Sequence, residues 1–170
     1  AGGTIEPLDP IRYIGNRSSG KMGYAIAKEA VLRGAEVVLV SGPTALPAPE
    51  GVRLISIETA AQMRKAVLRE FNDTDITIKA AAVADYHPRN VSDIKIKKSD
   101  QSMTVVLEKN PDILMELGSI KTAEQLLIGF AAETNDLIKY AKSKVEKKNL
   151  DMIIANDVSL PGAGFNANTN

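Results

Sequence analysis

Residues 15–23 read Gly15-Asn16-Arg17-Ser18-Ser19-Gly20-Lys21-Met22-Gly23. A glycine, four residues, a glycine and a lysine is the spacing of a loop that cradles phosphate with its backbone N–H groups. The next position should then be serine or threonine, whose hydroxyl holds Mg2+. It is Met22, and a thioether is a poor ligand for a hard cation. The preceding residues disagree with such a loop as well. A buried apolar strand should lead into it, whereas Glu6-Pro7-Leu8-Asp9-Pro10-Ile11-Arg12-Tyr13-Ile14 carries charges and two prolines and makes a poor central strand. The residues that follow are helical. Ala25, Ile26, Ala30, Val31 and Leu32 recur at helical spacing, and Gly34 stands where a C-cap belongs. Ser18 or Ser19 can cap the start. The loop thus opens a helix of about four turns, whose first N–H groups form an anion site. A glycine- and serine-rich loop that does no more than cap the helix is the plain alternative.

Other stretches hold groups suited to the same ligand. Ala80-Ala81-Ala82-Val83-Ala84-Asp85-Tyr86 ends an apparent strand. Its alanines admit a ligand close to the backbone, and Asp85 offers a carboxylate to a nucleotide's metal. The competing reading is a tightly packed strand end with Asp85 as a cap or turn residue. Lys95-Ile96-Lys97-Lys98 puts Lys95 and Lys97 on one face of an extended segment. They are either solvated edge lysines that oppose aggregation or a basic arm that closes over a polyphosphate. In Gly129-Phe130-Ala131-Ala132-Glu133-Thr134, Phe130 can stack on a base or pack in a core. Lys144 and Lys148 share a helix face, with Lys142 and Lys147 nearby. They form a solvated surface or aim two ammonium groups at phosphate. Asn156-Asp157 ends the last strand and touches ligand or caps a turn. The chain has no cysteine and a single histidine, His87. Thiol nucleophiles, disulfides and thiolate metal sites are excluded, and a Ser-His-Asp triad could run only through His87.

Holding these stretches together requires a sheet. Residues 36–41 are a near-continuous apolar run, which predicts a strand buried on both faces. Residues 52–57 predict the next strand. Thr59 caps a predicted helix through Phe71, with Met63, Ala66, Val67 and Phe71 inward. A strand is predicted at 75–82, and an antiparallel pair or arm at 95–98 and 103–107. Asn110 as N-cap with Pro111 at the first helical position predicts a helix to Gly118. A strand at 126–131, a helix at 134–148 and a strand at 151–155 complete the pattern. Such alternation predicts an α/β fold: a doubly wound, mostly parallel Rossmann-like sheet with helices on both faces and a small antiparallel arm at 91–108. Ligands of such sheets lie beyond the carboxyl ends of the strands.

At 170 residues and 44% hydrophobic, the chain suits one domain spanning 1–170. The balance of 21 Lys+Arg against 21 Asp+Glu argues against general nucleic-acid binding. No apolar run approaches the roughly 18 residues of a membrane span, and no signal-peptide pattern is present, so a cytoplasmic protein is expected. The start Ala1-Gly2-Gly3-Thr4 reads as a loop just after a strand, and residues 164–170 are polar and end no element. A domain excised from a longer polypeptide is expected. These residues support a nucleotide-binding α/β domain without fixing a reaction. An NAD(P)-dependent reductase expects Gly-x-Gly-x-x-Gly directly after the first strand, with an acid about 20 residues on; the chain offers only Gly20-x-x-Gly23. A module that binds nucleotide without turnover is the non-enzymatic alternative.

Taken together, the stretches 1–12, 16–23, 81–86, 95–98, 109–113, 129–134 and 155–158 resemble the phosphopantothenoylcysteine synthetase domain of bacterial bifunctional coenzyme A biosynthesis proteins. They do so in the family's order and over nearly the whole chain. The resemblance implies a ligase that joins L-cysteine to 4′-phosphopantothenate with CTP. An acyl-cytidylate would form with release of pyrophosphate, and CMP would leave as cysteine attacks. Asn16 would hold the intermediate, and Ser18, Gly20 and the helix start would meet phosphate. Asp85 would hold Mg2+ or Mn2+, and Lys95 would stabilise charge as pyrophosphate departs and the intermediate turns over. Backbone at Lys79, Ala80 and Ala81 and at Pro111, Asp112, Ile113 and Leu114 would receive the nucleotide, and Phe130, Lys144 and Lys148 would complete its pocket. A homodimer is implied, with the Lys95 strap reaching the partner's site, together with a flavin-dependent decarboxylase domain in the longer chain. Since the substrate supplies the attacking carboxylate, this chemistry needs positioned cations and N–H donors and no protein nucleophile. The chain departs from the family pattern at Lys79, where a small residue, often glycine, is expected. The pattern also usually includes a strand before Ala1 and a further segment after Asn170.

Overall fold

The computed structural model describes residues 1–98, 102–133 and 137–157. Its elements are β1 (Ile5–Pro7), β2 (Tyr13–Gly15), α1 (Lys21–Leu32), β3 (Val37–Ser41), β4 (Val52–Ser56), α2 (Ala60–Phe71), β5 (Ile76–Lys79), β6 (Tyr86–Pro88), β7 (Leu107–Lys109), α3 (Ile113–Ile120), β8 (Leu126–Glu133), α4 (Leu137–Lys148) and β9 (Met152–Asp157).

β3 pairs in parallel with β4, Val37 opposite Val52 and Ser41 opposite Ser56. β8 pairs in parallel with β5 on one side and β9 on the other. Residues 1–4 join these two groups. The Ala1 nitrogen donates to the Val40 carbonyl at 2.6 Å, and the Gly42 N–H donates to the Ala1 carbonyl. Across the other edge, the Ala82 N–H donates to the Gly2 carbonyl and the Thr4 N–H to the Ala82 carbonyl. The resulting order, β4–β3–(residues 1–4)–β5–β8–β9, is that of a doubly wound dinucleotide fold. Beside residues 1–4, β3 and β5 flank a channel of about 860 Å3 lined by residues that include Val38, Val40, Ile78, Ala27, Met63 and Leu117.

Side chains alternate across a strand, so β3 serves two cores. Val37 and Leu39, with Val52 and Leu54 of β4, pack against Tyr24 and Ala27 of α1. Val40 turns to the other face and joins Met63 and Phe71 of α2, Ile113, Leu114 and Leu117 of α3, and Leu127 and Leu150. Val145 of α4 packs against this second cluster as well. Helices therefore cover both faces, α1 on one and α2, α3 and α4 on the other. Among the described residues α1 stops short of β5, β8 and β9, where Ile76, Leu126 and Met152 are about half exposed.

Helix boundaries follow from capping chemistry. Thr59 and Gln62 form a reciprocal capping box at the start of α2. Met63, Ala66 and Phe71 are buried on its inward stripe, and Val67 packs against the core. The expectation for α1 needs correction. Its N-cap is Gly20, in the left-handed region at φ +79, with no side-chain cap; the Ser19 hydroxyl only reaches the Lys21 N–H at 3.4 Å. Its buried residues are Gly23, Tyr24 and Ala27, whereas Ala25 and Leu32 are exposed. The helix must lie close on residue 1, and a Cβ at Gly23 would stand 2.5 Å from that of Ala1, so the buried stripe is built from small residues. α3 starts two residues later than expected, with Asp112 as the N-cap accepting from the Met115 N–H at 3.1 Å. Asn110 is not its cap, because its amide donates to the Ala84 carbonyl at 2.9 Å.

The small antiparallel pairs also differ from expectation. β2 pairs with β1 in a hairpin, so no central strand leads into the Gly15–Gly23 loop. The arm is β6 against β7, His87 opposite Glu108. Residues 95–98 form no strand, because the backbone of Ile96 is taken by the side chains of Asp9 and Arg12. Of the expected features, residues 99–101 of the arm, Thr134, Val158 and residues 164–170 lie outside the described residues.

Candidate functional site

The hairpin, the start of α1 and the end of β5 meet at the carboxyl edge of the sheet. Past β2, the Asn16 amide donates to the Ala82 carbonyl at 3.1 Å. A Cβ at Gly3 would lie 3.3 Å from the Asn16 carbonyl oxygen and 3.6 Å from the Ser18 Cβ, which shows how closely these segments pass. Gly20 lets the chain turn into α1 against residue 44, since a Cβ there would stand 2.6 Å from the Thr44 Cγ2. The first turn of α1 carries no acidic residue, so the positive end of its dipole is uncompensated there by carboxylate.

The loop after β5 is fixed from both sides. The Ala84 N–H donates to the buried Thr4 hydroxyl at 2.9 Å, its carbonyl accepts from Asn110, and the Asn110 N–H donates to the Asp85 carbonyl at 2.8 Å. The exposed Asp85 side chain is presented from this fixed loop.

A charge cluster borders the loop. Lys148 of α4 pairs with Asp112 at the start of α3 at 2.8 Å. Burial works against the charge on Asp112, but the Lys148 ammonium, the Met115 N–H and the charge of Lys79 outweigh it and hold the carboxyl below its usual range. Lys79 ends β5. Burial lowers its pKa first and the charge of Lys148 next, with Lys144 adding to the fall; Asp112 and Asp85 oppose it without reversing it.

Asn16, Ser18 and Gly20 thus gather at the end of β5, from which Ala80 and Ala81 run on. Asp85, Asp112, Lys144 and Lys148 are each within electrostatic reach of Lys79. Ile113 and Leu114 are buried in the core at 3% and 5% exposure, so only their backbone is available beside the exposed Pro111. Phe130 pairs with Ile154, while its neighbour Gly129 pairs with Lys79; alternation puts the Phe130 side chain on the face opposite Lys79. Lys95 sits apart, exposed on the strap against the β1–β2 hairpin. The Asp157 side chain lies outside the described residues.

Sequence reasoning missed the Lys79 side chain, the Thr4–Ala84–Asn110 pins and the Asp9–Arg12 pair. Asp-x-x-Arg between two short strands signals a turn, but its reach to residue 96 has no signature along the chain. Among the described residues no group of three or more His, Cys, Asp or Glu could hold a metal. One exposed carboxylate, Asp85, suits Mg2+, which binds through one or two carboxylates and completes its shell with phosphate and water. No helix among them is long and apolar enough to cross a membrane.

Residues 1–170 match the family described as DNA/pantothenate metabolism flavoprotein C-terminal domain. The chain is 53% identical over 171 residues to the coenzyme A biosynthesis bifunctional protein CoaBC of Bacillus subtilis (strain 168), covering 100% of this chain and 42% of that protein. It therefore spans less than half the length of that relative. Among solved structures, the C-terminal domain of a coenzyme A biosynthesis bifunctional protein CoaBC superposes with a TM-score of 0.82 at 50% identity, over 92% of this chain and 74% of that one. The DNA/pantothenate metabolism flavoprotein from Streptococcus pneumoniae superposes with a TM-score of 0.82 at 26% identity, over 94% and 80%.

Proposed function

Because the chain belongs to the DNA/pantothenate metabolism flavoprotein C-terminal domain family, we propose that it is a synthetase domain of coenzyme A biosynthesis that joins cysteine to 4′-phosphopantothenate with CTP as co-substrate. One observation supports this most: Asn16, held against Ala82, shares the carboxyl edge of the sheet with the helix start at Gly20 and the lysines 79, 144 and 148. That edge offers N–H donors and ammonium groups to a triphosphate.

In the proposed reaction the substrate carboxylate attacks the α-phosphorus of CTP. The new bond is carboxyl oxygen to phosphorus, and the bond to the bridging oxygen of pyrophosphate breaks. The cysteine amine then attacks the acyl carbon, CMP leaves and the amine proton passes to solvent. The α1 N–H groups and Ser18 hold phosphate, and Lys95 offsets charge on the leaving pyrophosphate. Asn16, its amide fixed by the Ala82 carbonyl, orients the acyl-nucleotide. Asp112 keeps the Lys148 ammonium in place. Mg2+, arriving with the nucleotide, would neutralise phosphate charge, and Asp85 is the residue that would hold it.

The same reading includes a homodimer, cytoplasmic, with the Lys95 strap reaching the partner's site, and a flavin-dependent decarboxylase domain in the longer chain. Ile11 and Tyr13 of the hairpin and Tyr86 and Val106 of the arm are each more than half exposed, an apolar surface suited to a second copy.

Pyrophosphate release should require CTP, 4′-phosphopantothenate and Mg2+ together. Release that 4′-phosphopantothenate fails to stimulate would exclude the ligase. Lys95→Ala should block release with the fold intact. Asn16→Asp should bind CTP but impair formation or protection of the acyl-cytidylate. Calorimetric titration with CTP, ATP and NADH separates the ligase from a reductase.

A further inference from the structure

The β1–β2 turn contains a carboxylate with more bonds than a turn requires. The Asp9 side chain is fully buried, while Arg12 is 41% exposed. Asp9 Oδ1 accepts from the N–H groups of Ile11 and Arg12, both at 2.8 Å. These two bonds close the turn. Asp9 Oδ2 has a second set of partners. It accepts from Arg12 Nε at 3.0 Å and from Arg12 Nη2, and also from the Ile96 N–H at 3.1 Å. Arg12 Nη2 in turn donates to the Ile96 carbonyl at 2.7 Å. One carboxylate and one guanidinium therefore engage both backbone polar groups of a residue more than eighty positions away, as a neighbouring strand would. A second tie lies four residues earlier, where the Ser92 N–H donates to the Leu8 carbonyl at 3.0 Å. Between and beyond these ties stand the exposed Lys95 and Lys97.

We propose that Asp9, with Arg12, is a positioning residue: the pair clamps the strap at Ile96 and so fixes where the Lys95 ammonium stands during pyrophosphate departure. A turn needs only Oδ1, so the Oδ2 bonds to the strap are what distinguish a clamp from a turn closure. A charged, bidentate pair is also stronger and more directional than a neutral contact. A lysine on an untied strap would spread over many positions, and loss of orientation alone slows a reaction by about 10- to 100-fold. This proposal rests on the ligase reading for its catalytic consequence but not for its structural one.

Two readouts separate the two. The first is trypsin cleavage after Lys95 and Lys97, which needs no activity. Asp9→Asn and Arg12→Lys should each be cut at both sites at least about tenfold faster than the wild type, and Ile96→Pro after Lys97 alone, since trypsin does not cut a lysine–proline bond, with cleavage elsewhere unchanged. Ile96→Pro deletes the strap's donor and leaves the Asp9–Arg12 pair whole, so it serves if the turn variants fold poorly. Unchanged cleavage after Lys97 in Ile96→Pro and in any turn variant that folds overturns the clamp, whatever the enzyme does. The second is pyrophosphate release. Asp9→Asn should lower kcat about 10- to 100-fold with KM for CTP within about twofold. An unchanged kcat, or a loss confined to KM, overturns the positioning role. A wild type that releases no pyrophosphate defeats the ligase reading and leaves the cleavage test to decide the clamp.

Discussion

Gly20 and Gly34 both hold positive φ, +79 and +87, yet they differ in what surrounds them. A Cβ at Gly34 would meet nothing within 4 Å, whereas one at Gly20 would stand 2.6 Å from the Thr44 methyl group. Gly34→Ala should therefore lose only conformational energy, about 1–2 kcal/mol. Gly20→Ala should lose that amount plus the overpacking against Thr44, about 1–3 kcal/mol more. For a domain of this size each kcal/mol moves Tm by about 2–4 °C. Gly34→Ala should melt several degrees below wild type, and Gly20→Ala about 2–12 °C lower again. Calorimetric melts of the two variants give the difference directly. Thr44→Ser removes the offending methyl and keeps the hydroxyl that bonds Tyr24, so in the Gly20→Ala background it should restore most of the gap. Equal melting points for the two alanine variants, or no recovery with Thr44→Ser, would refute the close approach of α1 to residue 44. The displaced helix start should also weaken CTP binding in Gly20→Ala and not in Gly34→Ala.

Burial depresses the Lys79 pKa below its ordinary 10.5, so the unfolded chain binds this proton more tightly than the folded one. Stability from this group is then lowest where both states are charged, and it rises with pH from the lowered folded value up to 10.5. Lys79→Met should stabilise the protein at neutral pH by about 1–3 kcal/mol and abolish that alkaline gain; denaturant melts across pH measure both. At alkaline pH, where the folded Lys79 has begun to lose its proton, CTP binding should draw a proton back onto it, visible by titration calorimetry in buffers of different ionisation enthalpy, and the uptake should vanish in Lys79→Met. Thr59→Ala breaks the capping box of α2 and should cost about 1 kcal/mol in urea unfolding with an unchanged m-value.

The parallel sheet was legible because its strands are apolar runs and its helices carry a 3.6-residue stripe. The inward face of α2 follows from the spacing of Met63, Ala66, Val67 and Phe71 alone. The buried face of α1 did not follow, since close packing on residue 1 selects Gly23 and Ala27, which hydrophobicity ranks low. Asn110 looked like a cap by its position before Pro111, but a loop from the neighbouring strand competes for its amide. For the site, Asn16, Ser18 and Gly20 stood out in a single glycine-rich stretch, and Asp85 in an alanine-rich one. The side-chain interactions of Lys79, the tie of Asp9 to Ile96 and the opposite face of Phe130 depend on pairing register between distant strands, which no local spacing encodes.

Residues 83–85 form neither helix nor strand, yet Ala84 is held through both its N–H and its carbonyl by Thr4 and Asn110. Its amide hydrogen can exchange with solvent only when the centre of the sheet parts from this loop, so it should exchange as slowly as the strands do. A ligand that settles on this loop meets a surface already ordered. It is spared the conformational entropy of about 1–2 kcal/mol for each residue that a mobile loop would have to fix. Rigidity where the nucleotide is expected is thus set by Thr4 and Asn110, on opposite sides of the loop in sequence, rather than by the loop's own residues.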